Sequence, residues 1–147
     1  MADFVRDTRV EPTAESGRFT AALSPEWAVW GPNGGYVAAI ALRAAMTASR
    51  LPRPASFHCH FLAVGDFAPV SVRVRSLGGG RRAESLRADV VQGDRALLTA
   101  TVWMVDDALH GFEHEFAVAP DDSAPTALHG YPALKAHYVF QRDVDYI

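Results

Sequence analysis

The chain has 147 residues, of which 49% are hydrophobic and 21% are charged. This length and composition are typical of one globular domain that can bury a core. The net charge of −3 argues against a nucleic-acid partner, which would need a basic surface. The single cysteine, Cys59, excludes an intramolecular disulfide and any zinc site built from several cysteines.

The amino terminus carries no sign of export or of membrane insertion. Its first seven residues include two aspartates and an arginine, and they lack the apolar stretch of a signal peptide. The most apolar window, residues 36–46, is much shorter than the roughly 20 residues that a membrane-spanning helix needs, and Arg43 interrupts it. We therefore expect a cytoplasmic protein without a membrane partner.

The first half of the chain predicts one short strand and one long helix. Residues 18–23 are typical of a strand, and the glycines and proline of residues 31–35 mark a loop. Asn33 is a candidate N-cap for a helix from Gly34 to about Arg50, which ends before Pro52 and Pro54. This segment is apolar on nearly every side, which predicts a buried helix.

After residue 55 the apolar period changes to two. Alternation predicts strands near residues 57–62, 70–75, 85–90 and 96–105, with a turn or bulge at 78–80 and a hairpin turn at 92–95. Because consecutive strands usually pair, we predict an α+β fold in which an antiparallel sheet wraps around one long central helix.

The last part of the chain has a different composition. We predict a single domain over residues 1–110 and a linker or tail over 111–147, which is rich in aspartate and proline. Residues 138–142 are typical of a further strand. That strand would either begin a second repeat or complete the sheet of a partner.

Four segments carry a resemblance to a known family. They are the Trp30–Tyr36 turn that opens the alanine-rich helix, the histidine-containing strand that ends at Gly65-Asp66, the arginine hairpin at 74–85, and the Gln-Gly turn at 90–94. In this order and spacing they resemble the hotdog fold of acyl-CoA thioesterases, and most closely the N-terminal repeat of the acyl-CoA thioesterase II (TesB-like) family.

The resemblance implies hydrolysis of a fatty-acyl or similar acyl-CoA thioester to the acid and free coenzyme A, without a cofactor. It also implies a homodimer or higher homo-oligomer, because the substrate channel of hotdog proteins lies between two repeats. Members of this family carry their catalytic Asp, Ser/Thr and Gln mainly in a second hotdog repeat. The present chain, by contrast, shows a single repeat. A non-catalytic, acyl-thioester-binding half is therefore the alternative. An enoyl-CoA hydratase ranks below both, since no closely spaced Asp/His pair is present.

The start of the helix is the candidate substrate-binding site. A helix N-terminus presents unpaired N–H groups and partial positive charge, and two glycines allow a carbonyl to approach the backbone. We expect Asn33, Gly34, Gly35 and Tyr36 to bind the thioester carbonyl, with the amides of the last three as an oxyanion site.

Asp66 and His58 are the candidate catalytic residues, because water activation requires a base. We expect His58 to lie on a strand face turned toward the helix. The competing interpretations are a solvated turn aspartate and a structural histidine. His58 and His60 share a strand face but lack a third ligand, so we predict no metal site.

Arg81 and Arg82 follow the triple glycine and are candidates for binding the phosphates of coenzyme A, since guanidinium groups match phosphate geometry. Ordinary hairpin charge is the competing interpretation. We interpret Cys59, which alternates with the histidines, as a core residue and not as a nucleophile.

Overall fold

The structure, a computed structural model, describes residues 2–111. The predicted tail, apart from its first residue, and the predicted strand at 138–142 lie outside this range. The domain boundary near residue 110 therefore stays a prediction. Between residues 2 and 111, no helix is both long enough and apolar enough to cross a bilayer.

The central helix, α2, covers Gly34–Ala48 and ends two residues before the predicted position. Asn33 caps it as predicted, because its Oδ1 accepts a hydrogen bond from the Tyr36 N–H at 3.2 Å. One face is fully buried against the sheet and consists of Tyr36, Val37, Ile40, Ala41, Ala44 and Ala45. The opposite face is more open than predicted: Met46 is exposed and Arg43 is half-buried.

Six strands form one antiparallel sheet around this helix: β1 (Glu11–Pro12), β2 (Arg18–Ala22), β3 (Arg53–Phe61), β4 (Pro69–Gly79), β5 (Ala83–Gln92) and β6 (Arg95–Val105). The strand order is β1-β2-β4-β5-β6-β3, so β3 lies at one edge. This arrangement confirms the predicted α+β fold. Helix α2 connects β2 to the distant edge strand β3, which places the helix across the concave face of the sheet.

Strand lengths differ from the prediction where proline and glycine are tolerated. Strand β3 begins at Arg53 and includes Pro54, because an edge strand does not need every N–H in its ladder. Strand β4 continues through Gly78 and Gly79 of the predicted turn, with a bulge after Ser76 and a φ of +146° at Gly78. The hairpin between β5 and β6 turns at Gly93, whose φ of +59° favours glycine.

The pairing of β3 with β6 decides which side chains of the edge strand face the core. Phe57 and Cys59 pack against the core, and burial raises the pKa of the Cys59 thiol, in agreement with its predicted core position. His58 lies opposite Thr101 on the exposed outer face. The prediction that His58 faces the helix is therefore wrong, since neighbouring residues of a strand point to opposite faces.

An N-terminal segment that sequence periodicity did not predict docks on the helix. It contains a short helix, α1 (Phe4–Asp7), followed by the fully buried Thr8. The Asp7 side chain accepts a hydrogen bond from the Trp27 indole N–H at 3.0 Å, and the Trp27 ring stacks on the ring of Tyr36. These contacts anchor the loop that leads to the start of α2.

Asp7 should make the fold acid-sensitive. The side-chain hydrogen bond from Arg6, helped by bonds from the Asp3 N–H and Trp27, lowers the pKa of Asp7 from 3.8 to about 2. Ionised Asp7 therefore stabilises the fold fully above about pH 4, and this contribution is lost as the pH falls toward 2. We expect it to amount to about 1 kcal/mol, because Arg6 is solvent-exposed and screening weakens the pair.

Urea unfolding at a series of pH values through this window measures the effect. The wild-type free energy of unfolding should fall more steeply with acid than that of Asp7→Asn, whose amide can still accept from Trp27. Equal acid dependence in the two proteins would contradict a stabilising carboxylate.

Candidate functional site

A pocket of about 730 Å³ opens at the start of α2. Three parts of the chain form its wall: the loop before α2 together with the start of that helix, the end of β3 together with the turn after it, and Leu97 of β6. The lining is mostly apolar and consists of Val29, Trp30, Gly31, Pro32, Asn33, Gly34, Val37, Phe61, Leu62, Ala63, Val64, Gly65 and Leu97. Within residues 2–111, the polar side-chain groups of this lining are the amide of Asn33 and the indole N–H of Trp30, so the pocket suits a neutral, largely apolar group.

The first two amides of α2 remain available to a ligand. The Tyr36 N–H donates to the Asn33 side chain, and the Val37 N–H donates to the Asn33 carbonyl at 3.1 Å. The N–H groups of Gly34 and Gly35 meet no acceptor among residues 2–111. The predicted trio of amides is thus reduced to two, because the N-cap already uses the third.

The two glycines have different surroundings. Gly34 lines the pocket, and a Cβ placed on it would lie 3.1 Å from a ring carbon of Phe61. Gly35 is exposed, and a Cβ there would meet only the Asn33 side chain, at 3.3 Å. The pocket therefore opens onto the backbone at Gly34, where a larger residue would intrude.

Tyr36 has a structural side chain and not a substrate-facing one. Its buried hydroxyl accepts from the Ser24 N–H at 3.1 Å and lies 2.9 Å and 3.0 Å from the carbonyl oxygens of Asp7 and Ala22, to which it can donate. Burial raises the pKa of this phenol, so it stays protonated. The hydroxyl ties three backbone segments to the helix and does not line the pocket.

Asp66 lies just beyond the pocket wall. Its side chain is 81% exposed and forms an ion pair with Arg95 at 2.9 Å. Gly65, the residue before it, lines the pocket, whereas Asp66 itself does not. This geometry does not favour Asp66 as the base of a reaction within the pocket of the same chain.

His58 is also outside the pocket. Its ring contacts that of His60 edge-to-face, with ring centroids 4.6 Å apart, on the outer face of the sheet. Within the described part of the chain, no three His, Cys, Asp or Glu side chains converge in a way that could hold a metal ion. Like Asp66, His58 is not placed to activate water beside Gly34.

Arg81 and Arg82 lie at the other end of the domain. They follow Gly80, whose carbonyl accepts a hydrogen bond from Arg50 just after the end of α2. Because α2 has 15 residues and rises about 1.5 Å per residue, roughly 20 Å separates this hairpin from the pocket. The structure therefore does not bring these arginines together with the helix start.

A ring of exposed apolar side chains around the pocket was not predicted as part of the site. We call Trp30, Phe61, Leu62 and Val64 the pocket rim; Trp30 is 85% exposed and each of the others is more than half exposed. Soluble proteins rarely leave a large contiguous apolar surface exposed to water, and such a surface commonly marks a binding site. The tryptophan next to the Gly-Pro-Asn-Gly-Gly loop was the available sequence signal for this surface.

The pocket rim adjoins an open sheet edge. Strand β3 pairs with β6 on one side, and its other side has no partner strand within residues 2–111. Phe61 ends this strand, and Leu62 follows it. A second molecule or domain that covered the edge of β3 would therefore also reach the pocket.

A helix cradled by an antiparallel sheet, with a pocket at the helix start, places the chain among the hotdog-fold proteins. Residues 23–105 match the model of the family described as the acyl-CoA thioesterase N-terminal domain. Since this match covers more than half of the chain, the chain belongs to that family, and the predicted resemblance is confirmed. A search of curated proteins gave no match.

Solved structures agree with this assignment. A hotdog-fold protein of unknown function from Alicyclobacillus acidocaldarius is 26% identical, with a TM-score of 0.73 over 83% of this chain and 46% of its own. The tesB protein of Mycobacterium avium subspecies paratuberculosis is 27% identical, with a TM-score of 0.65 over 80% of this chain and 47% of its own. An acyl-CoA thioesterase II from Mycobacterium marinum, 22% identical with a TM-score of 0.68 over 86% and 46%, shares the fold.

This chain thus spans a little under half the length of these three proteins.

Proposed function

We propose that the protein is an acyl-CoA thioesterase, which hydrolyses a fatty-acyl or similar acyl-CoA to the acid and free coenzyme A. The observation that carries this proposal is that the N–H groups of Gly34, which lines an apolar pocket, and of the neighbouring Gly35 have no acceptor within residues 2–111. The family description supports the class of substrate.

The proposed chemistry uses the backbone at the helix start. The thioester carbonyl oxygen accepts hydrogen bonds from the Gly34 and Gly35 amides, and the partial positive charge of the helix N-terminus favours the oxyanion that forms. Water adds to the carbonyl carbon, the carbon–sulfur bond breaks, and the coenzyme A sulfur leaves and takes up a proton. The acyl chain lies against the pocket rim, where apolar contact stabilises it by about 0.8 kcal/mol per buried methylene.

The group that activates water is the part that the described pocket does not supply. Its lining includes no carboxylate and no imidazole, because Asp66 and His58 point elsewhere. We therefore place this group on a second hotdog unit that covers the edge of β3 and the pocket rim. The edge of β3, which has no partner strand within residues 2–111 and leads into the pocket rim, supports this placement. The second unit is another copy of this chain, as in the expected homodimer.

The non-catalytic, acyl-thioester-binding half is the second candidate. The absence of a base from the described lining favours it for a chain that acts alone. Binding needs only the amides and the apolar wall, whereas hydrolysis needs the water-activating group as well.

Release of coenzyme A thiol from acyl-CoA substrates of two to sixteen carbons, followed with a thiol reagent, tests the proposal. We expect hydrolysis whose rate per chain rises with protein concentration until the dimer is saturated. A rate per chain that does not vary while light scattering reports monomer would contradict the shared site. Tight binding of acyl-CoA without hydrolysis would establish the second candidate, and neither binding nor hydrolysis would refute both.

A further inference from the structure

One side-chain amide holds the turn that forms a wall of the pocket. The Gln92 Oε1 accepts a hydrogen bond from the Asp66 N–H at 2.8 Å. The Gln92 Nε2 donates to the carbonyl oxygens of Asp66 at 2.9 Å and of Ala68 at 3.1 Å. Gln92 therefore pairs with both the N–H and the carbonyl of Asp66, and also with the carbonyl of Ala68.

No other described residue provides this anchor. Before the turn, the N–H groups of Leu62 and Ala63 are held by the Leu97 carbonyl, at 2.8 Å and 3.3 Å. From residue 64 to residue 68, the backbone hydrogen bonds formed within residues 2–111 are the three to Gln92 and one local bond between Ala68 and Asp66. Arg95 reaches the same turn, but it donates to the exposed carboxylate of Asp66 and, at 3.4 Å, to the Gln92 Oε1, and not to the backbone of the turn.

The turn packs against the loop before α2, so its position affects the start of the helix. Gly65 packs so closely that a Cβ on it would lie 2.7 Å from Leu97. Val64 abuts Gly31, where a Cβ would overlap the Val64 methyl group. Gly31 belongs to the loop that leads into α2. The three hydrogen bonds of Gln92 thus set how far the Val64 wall stands from the glycine amides.

We propose that Gln92 is a positioning residue that fixes the Val64–Gly65 wall and thereby sets the acyl-chain preference of the site. This inference rests on the proposed function. Gln92 does not line the pocket and would touch no substrate atom. Its amide, and not merely its bulk, is what the position requires.

Gln92→Leu keeps the size of the side chain and removes all three hydrogen bonds. Hydrogen–deuterium exchange of the full-length protein should be faster at the Asp66 and Ala68 amides, the two N–H groups of this turn that have an acceptor within residues 2–111, by on the order of 10-fold to 100-fold. Each lost bond is worth a few-fold or more in an opening equilibrium. With a dodecanoyl substrate, kcat/KM should fall about tenfold through KM, which corresponds to lost apolar contact of about two methylenes. With acetyl-CoA, whose acyl group does not reach the wall, it should change less than about twofold.

Two variants on the same hairpin serve as comparisons. Arg95→Met removes the ion pair to Asp66 and a 3.4 Å hydrogen bond to the Gln92 Oε1, but it leaves the three bonds between Gln92 and the backbone. Exchange at 64–68 and the chain-length profile should therefore match the wild type. Gln92→Glu keeps the acceptor but turns a carboxylate oxygen toward the carbonyl oxygens of Asp66 and Ala68, so its effects should be at least as large as those of Gln92→Leu.

Unchanged exchange at 64–68 in Gln92→Leu would overturn the proposal, and so would equal losses for the dodecanoyl and acetyl substrates. If the wild type hydrolyses no acyl-CoA, the proposed function fails. The exchange comparison then still decides whether Gln92 fixes the wall.

Discussion

Gly34→Val is expected to reduce acyl-CoA hydrolysis at least about 100-fold while leaving the fold intact. The valine methyl groups would occupy the space beside the Gly34 and Gly35 amides, and loss of one oxyanion donor alone typically costs on the order of 100-fold to 1,000-fold in kcat. The ring of Phe61, which is the nearest obstacle at 3.1 Å, is more than half exposed, so a small rotation toward solvent would relieve the contact. Circular dichroism and thermal unfolding should therefore change little, whereas the rate of thiol release should approach the background.

Ala48→Val is the matched control for this prediction. It adds a β-branched residue to the same helix, and so carries a comparable propensity cost, but it lies at the exposed C-terminal end of α2. Its hydrolysis rate should match the wild type. If Gly34→Val kept more than about a tenth of wild-type kcat/KM, the carbonyl would not be binding at the helix start.

The architecture was predictable because the pattern of apolar residues that identifies each helix or strand lies within the element itself. The apolar spacing around Ile40 and the N-cap at Asn33 defined the helix, and alternation defined the strands. The N-terminal helix α1 was not predicted, because four residues are too few for a periodic signal and its stability comes from Trp27 and Tyr36. Local pattern thus identified the elements that carry their own periodicity.

The site was less predictable because it depends on which way side chains point. His58 was correctly assigned to a strand, but a one-residue difference in register decides which face a side chain takes. Asp66 was correctly assigned to a turn, but its partner Arg95 lies across a hairpin. The sequence likewise does not tell which of two adjacent glycines faces a pocket, since that depends on where Phe61 falls in the folded chain.

Gln92 illustrates the same limit. In the sequence it is one residue of a Gln-Gly hairpin turn. In the structure its side chain forms hydrogen bonds with the backbone of Asp66, which belongs to a turn that is distant along the chain. A glutamine that satisfies backbone groups has no periodic signature. Such residues become visible only when every donor and acceptor of a loop is accounted for.

Tyr36→Phe is expected to lower the free energy of unfolding by about 2–4 kcal/mol. The substitution preserves the ring and its stacking on Trp27, but it leaves the Ser24 N–H and the carbonyl oxygens of Asp7 and Ala22 without their shared hydroxyl. A buried polar group that loses its partner costs about 1–3 kcal/mol. Urea unfolding measures the loss directly.

The same variant separates a structural tyrosine from a substrate-binding one. The backbone amide of residue 36 stays bonded to Asn33 in either case, and the hydroxyl lies away from the pocket lining. Activity per folded molecule, measured well below the unfolding transition, should therefore stay within about twofold of the wild type. A large fall in kcat with unchanged stability would show that the hydroxyl acts on the substrate, and would contradict the role that its three hydrogen-bonding partners indicate.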